Sequence, residues 1–160
     1  MIAEGDVRQA ELALTEALRI ERSALPPEHR ALGQTLCTLG WLRAQTGRVQ
    51  EGEQLLRRAL VIYRRAWPRD HWVTADAESR LGGCLTALGQ FDDAERFLRV
   101  SYQTLEAAPG APSARVVHAT ERLVKLYEAW GKPDKAAAVR VKLLMAPIHP
   151  DKEGKVRKDQ

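Results

Sequence analysis

Leucine and alanine recur along this chain at three- and four-residue intervals, and glycine or proline interrupts them at regular distances. Over 30–45, apolar side chains fall at Leu32, Leu36, Leu39 and Leu42, the spacing of one helical face. Thr46-Gly47 ends that helix, because glycine enters the left-handed closing turn at little cost. A second helix over 48–66 gathers Leu55, Leu56, Ala59, Leu60 and Ile62, and Pro68 blocks its continuation. The same reading gives helices over 72–88 and 91–106, then a break at Pro109-Gly110-Ala111-Pro112. A helix over 116–130 follows. Past Gly131 the last one opens on Pro133, which suits a first-turn position that needs no N–H partner.

These elements are copies of one unit. Gly5, Gly47, Gly89 and Gly131 stand 42 residues apart, and Ala10, Gly52, Ala94 and Ala136 keep the same step. So do Leu14, Leu56 and Leu98, then Ala17, Ala59 and Ser101, then Leu39, Leu81 and Leu123. Even His29 and His71 obey it, with Ser113 next in line. Each unit is a helical hairpin whose small residues let two backbones approach, and stacked neighbours create the core that no unit has alone. Bulk at Gly82 or Ala94 is expected to unstack the array locally. The predicted organisation is an array over 1–146: units at 30–68, 72–108 and 114–146, preceded over 5–28 by a lone second helix. Residues 147–160 read as a mobile tail. The lone helix presents Val7, Leu12, Leu14 and Leu18 as an edge without its first helix, so truncation of a longer protein or self-association through this N-terminal helix is expected.

Composition narrows the class. The chain of 160 residues is 44% hydrophobic and 29% charged, dominated by good helix formers and poor in Val and Ile, so an all-α fold is expected. No apolar run reaches the ~20 residues of a bilayer span, and the first residues do not form a signal peptide, so a cytoplasmic protein without a membrane segment is expected. Cys37 and Cys84 lack metal-ligand spacing and read as buried thiols. The net charge of +4 is spread as arginine beside glutamate or aspartate, the pattern of a solvated helical surface. Nucleic-acid binding would want a continuous basic face with interleaved aromatics, and the sequence offers only one local concentration, Arg57, Arg58, Arg64, Arg65 and Arg69, so a nucleic acid is not the expected partner. An acidic protein partner accounts for the basicity equally well.

Leu39-Gly40 with Gly47, Gly52, Leu56 and Ala59, and Leu81-Gly82 with the run from Gly89 to Glu95, Leu98 and Ser101, resemble the tetratricopeptide (TPR) consensus. The 42-residue step and the His-containing linker resemble the kinesin light chain subtype. The resemblance implies a right-handed superhelical solenoid of antiparallel helix pairs that binds a protein or peptide in a concave groove. The stretch from Glu121 to Ala137 is also similar to the last repeat of arrays lying C-terminal to bacterial serine/threonine protein kinase domains. That likeness implies, as an alternative, a regulatory or sensing fragment of such a kinase; no kinase motif occurs in this sequence.

In TPR arrays the first helices line the groove. Carried over by unit, this gives Gln34, Asp76 and His118; Cys37, Ser79 and Glu121; Thr38, Arg80 and Arg122; Trp41, Gly83 and Lys125. Trp41 is expected to offer an apolar anchor, and Arg80, Arg122 and Lys125 to meet acidic side chains, with Gln34, Asp76, His118 and Glu121 alongside. His29 and His71 are expected to act structurally at helix starts. No constellation for catalysis, a metal or a cofactor is present in the sequence, so no enzyme is expected.

Overall fold

A computed structural model describes residues 4–145. They form seven helices: α1 Glu4–Ala24, α2 Arg30–Gln45, α3 Val49–Ala66, α4 Trp72–Ala87, α5 Phe91–Ala107, α6 Ser113–Ala129 and α7 Pro133–Met145. Helices α2/α3, α4/α5 and α6/α7 pair as hairpins, α3 packs on α4 and α5 on α6, and α1 packs on α2. The predicted tail over 147–160 lies outside the described residues.

The hairpin turns share one construction. Gly47, Gly89 and Gly131 adopt φ of +88°, +73° and +70°, a region that costs any residue with a Cβ. In each turn the following amide reaches back five residues, Arg48 N to Arg43 O (2.9 Å), Gln90 N to Leu85 O (2.9 Å) and Lys132 N to Tyr127 O (2.8 Å). That bond satisfies a carbonyl the helix end would otherwise leave open. Gly5, fourth in the sequence series, is different: it lies inside α1, where no turn is being made.

The linker histidines are caps. His29 and His71 have extended backbones, and their Nδ1 atoms accept the amides of Ala31 (3.3 Å) and Val73 (3.2 Å). This is the work of an N-cap side chain, done here by an imidazole. The third copy lacks the histidine, and α6 starts at Ser113, earlier than residue 116. Pro112 fixes the cap at φ −62°, and its carbonyl accepts from Arg115 N at 2.8 Å.

Leu39, Leu56, Leu81, Leu85 and Leu98 are fully buried and form one continuous core through the stack. Burial of each contributes about 2 kcal/mol. Small residues set the helix separation. A Cβ on Gly52 would lie 2.5 Å from the Gly40 carbonyl oxygen, and one on Gly82 would lie 2.6 Å from Leu98 Cγ.

Helix α1 is less bare than its sequence suggests. Leu18 is buried, Leu14 packs against the core and Val7 is half-buried, whereas Leu12 stands free. Glu11 ties α1 to the first hairpin: it accepts from Arg43 Nε at 3.1 Å and from Arg48. The Arg48 guanidinium, with Arg43 behind it, holds the Glu11 carboxyl below its usual 4.5. A depressed carboxylate stabilises the fold above its unfolded pKa and loses that contribution as pH falls through the folded value. Hydrogen exchange should therefore show α1 loosening first as pH falls below about 4.5, and Glu11→Gln should remove that dependence.

Candidate functional site

The face formed by the first helices α2, α4 and α6 holds a pocket of about 390 Å³. Tyr63 and Trp67 from the end of α3, and Trp72 at the start of α4, give it aromatic walls. Gln34 and Arg30 of α2, Asp76 and Arg80 of α4, and Arg115 of α6 supply its polar groups. Trp67 stacks on His71 at 4.2 Å, and Arg30 lies over the Trp67 ring at 5.8 Å, so the linker that caps α4 also shapes the wall.

Asp76 organises this region. It is 6% exposed, and Oδ2 pairs with Arg80 Nε at 3.1 Å and with Arg115 Nη1 at 3.2 Å. Its other oxygen, Oδ1, is buried without a hydrogen-bond partner. A buried carboxylate oxygen in that state is an acceptor left unsatisfied within the chain.

Beside the pocket, three first helices are joined by side chains. Trp41 of α2 extends over Gly83 of α4, and Arg122 of α6 lies on its ring at 4.5 Å, with Arg80 at 5.9 Å. A Cβ on Gly83 would sit 3.5 Å from the Trp41 ring and 3.4 Å from Arg122 Cδ, so glycine leaves the path open. Arg122 is only 9% exposed and donates to Ser79 Oγ at 3.0 Å. Burial pushes its pKa down to about 10, and the guanidinium remains charged at neutral pH.

The positions read from the sequence thus separate into two groups. Gln34, Asp76 and Arg80 line the pocket, and Trp41 flanks it. His118, Glu121 and Lys125 are exposed on α6. Arg122 faces inward, where its charge acts through Trp41 and Ser79 and does not reach out as a free side chain. Cys37 and Ser79 are buried. Burial raises Cys37 to about 11 and Cys84 to about 12, so both remain unreactive thiols near neutrality.

Arg115 and the aromatic walls were missed. Arg115 departs from its column, where Ala31 and Val73 stand, and that break in the series was the available signal. Trp67 and Trp72 pack against the cores, and they also face the pocket. Trp130 stacks on Phe91 at the far end. In the basic concentration, Arg57, Arg64 and Arg65 pair with Glu53, Glu78 and Glu28.

Stacked helical hairpins with glycine turns at a fixed step, and a first-helix face carrying the polar groups, define a TPR-type all-α solenoid. Solved structures agree on the fold. The chain is similar to BtubC (BKLC) from P. vanneervenii, with TM-score 0.74 and 19% identity over 98% of this chain and 65% of that one. It is also similar to nearly identical TPR-like repeats of a Podosopora anserina kinesin light chain candidate. One such structure gives TM-score 0.68 and 20% identity, covering 88% of this chain and 66% of that one. Another gives 0.62 and 19%, covering 89% and 71%. The chain therefore spans about two thirds of the length of these proteins. No protein-family model and no curated protein matches it.

No described helix is long and apolar enough to cross a membrane.

Proposed function

We propose that this chain is a cytoplasmic, non-catalytic interaction scaffold that holds an acidic peptide along its first-helix face. One observation carries the reading: a pocket on the first-helix face joins aromatic walls, Trp67 and Trp72, to three arginines, Arg30, Arg80 and Arg115. Acidic side chains of the peptide pair with the guanidinium groups. Trp67 and Trp72 take an apolar side chain, and exposed Lys125 extends the cationic track along α6. Gln34, Trp41, His118, Glu121 and Arg122 complete the proposed groove, Arg122 as part of its wall.

Fluorescence anisotropy with synthetic peptides of alternating acidic and apolar residues tests this. Affinity should fall about tenfold for each charge reversal in Arg30→Glu and Lys125→Glu, in line with ~1.4 kcal/mol per charge-assisted contact. Equal binding of acidic and basic peptides, or no effect of either reversal, would sink the proposal. The alternative, a C-terminal part of a bacterial serine/threonine protein kinase, rests on the likeness of the Glu121 to Ala137 stretch. The genomic reading frame ahead of Met1 decides it: a kinase-coding sequence in frame supports it, and a stop codon removes it.

A further inference from the structure

We propose that the groove between α1 and α3 is a second docking surface, and that it takes a helix of an acidic partner protein. That helix lays an aliphatic side chain on the floor of the groove and a carboxylate between Arg22 and Arg58. Helices α1 and α3 pack on α2 but not on each other, and the gap between them is a cavity of about 370 Å³. Leu32 and Leu36 of α2 and Ile62 of α3, all buried, form its floor, and Val61, 56% exposed, continues the apolar surface to the rim. Arg22 of α1 and Arg58 of α3 stand on that rim as exposed cations. None of these residues lines the pocket on the first-helix face. Both walls and the floor belong to the described helices. In a solenoid each unit touches only its neighbours, so an element ahead of α1 would pack on the far side of that helix and not across to α3.

The repeat itself points to the occupant. The 42-residue step carries Arg22 to Arg64 and Leu36 to Glu78. In that next copy the two positions are an ion pair: Arg64 Nη2 donates to Glu78 Oε1 at 2.9 Å. The same step carries Leu32, Val61 and Ile62 to Thr74, Gln103 and Thr104, so the corresponding surface is polar as well. Between α1 and α3 the arginine is kept, but leucine stands in place of its carboxylate. Among the described residues neither Arg22 nor Arg58 has an ion-pair partner, while Glu16, Glu28 and Glu53 are taken by Arg19, Arg65 and Arg57. A partner carboxylate restores the pair that the next copy makes internally, and an aliphatic side chain beside it covers the leucines. The open mouth selects a protein over a free aliphatic acid. Such an acid needs a site that buries most of its surface, and Val61 leaves one side of this groove in solvent. The cavity is too small for a helix, yet it receives side chains from one lying across it, with residues one turn apart as anchors.

The probe is a pair of labelled, lactam-stapled helical peptides with leucines on successive turns of one face, flanked by glutamate in one peptide and by lysine in the other. Each is titrated into the full chain by fluorescence anisotropy. We expect saturable one-to-one binding, about tenfold tighter for the glutamate peptide. Arg22→Glu with Arg58→Glu, at exposed sites that leave the circular dichroism unchanged, should reverse that preference. Val61→Asp should weaken the glutamate peptide by about tenfold. Arg30→Glu with Lys125→Glu, which alters the first-helix face, should leave the affinity as it was. No binding, equal binding of the two peptides, or binding indifferent to the Arg22 and Arg58 reversal or to Val61→Asp overturns the proposal. So does binding that only the Arg30 and Lys125 reversal removes, because the first-helix pocket would then hold the probe. Decanoate binding that the Arg22 and Arg58 reversal abolishes, without binding of either peptide, would also overturn it and give the groove to a free fatty acid.

Discussion

Gly52→Leu is expected to lower the melting temperature of the array by about 10 °C, the equivalent of ~3 kcal/mol in a domain of this size. The helices α2 and α3 cross where two glycines face each other. A Cβ on Gly52 would stand 2.5 Å from a backbone oxygen of Gly40 and 2.9 Å from Ala44, and neither is the mobile end of a side chain. The hairpin can accept the larger residue only by moving its helices apart, which uncovers Leu56 and Ala59, both fully buried. Helix propensity acts the other way, favouring leucine over glycine by less than about 1 kcal/mol, so the clash dominates. Gly5→Ala is the control. Nothing lies within 4 Å of a Cβ there, and thermal denaturation should show no loss of stability. Equal melting temperatures for Gly52→Leu and the wild type would disprove the close crossing.

The second large effect is expected at Asp76. Asp76→Asn keeps the shape but removes the negative charge facing Arg80 and Arg115, and it withdraws the charge that favours the protonated form of buried Arg122. Removing one partner from a buried ionic group costs about 3–5 kcal/mol. Arg115 is about one-third exposed, so water screens part of that loss and ~3 kcal/mol is the expected value. Adding Arg115→Gln should recover at least ~1 kcal/mol, because it relieves the cation excess that the first change creates. Chemical denaturation of the two single variants and the double variant measures the coupling. Additive effects would show that the pair is independent and that Asp76 does not organise the group.

Much of the fold could be read from the sequence because its punctuation is local. Gly47, Gly89 and Gly131 close helices through their own dihedral freedom, and His29 and His71 cap through atoms two residues away, so spacing alone exposes both. Gly5 shows the limit of that reasoning: it shares the column but lies within α1, since a glycine turns a chain only where a helix is ending. The pocket was legible in part. Gln34, Asp76 and Arg80 follow from the first-helix columns, but its walls come from the end of α3 and a linker, which no single column contains. The inward position of Arg122 was not legible. It depends on Trp41 reaching it from two hairpins away, across a glycine whose only contribution is the space it leaves.

That contact has a mechanical consequence. Stacked repeats normally behave as a chain of springs in series, each stretching independently because each touches only its neighbours. Trp41 and Arg122 act as a tie across the outer two hairpins, passing over the one between them. Bending that opened the first-helix face would have to part the ring from the guanidinium before any single joint could yield. The first-helix face thus carries one link that reaches past its nearest neighbour, beside the neighbour contacts Arg122–Ser79 and Arg115–Asp76.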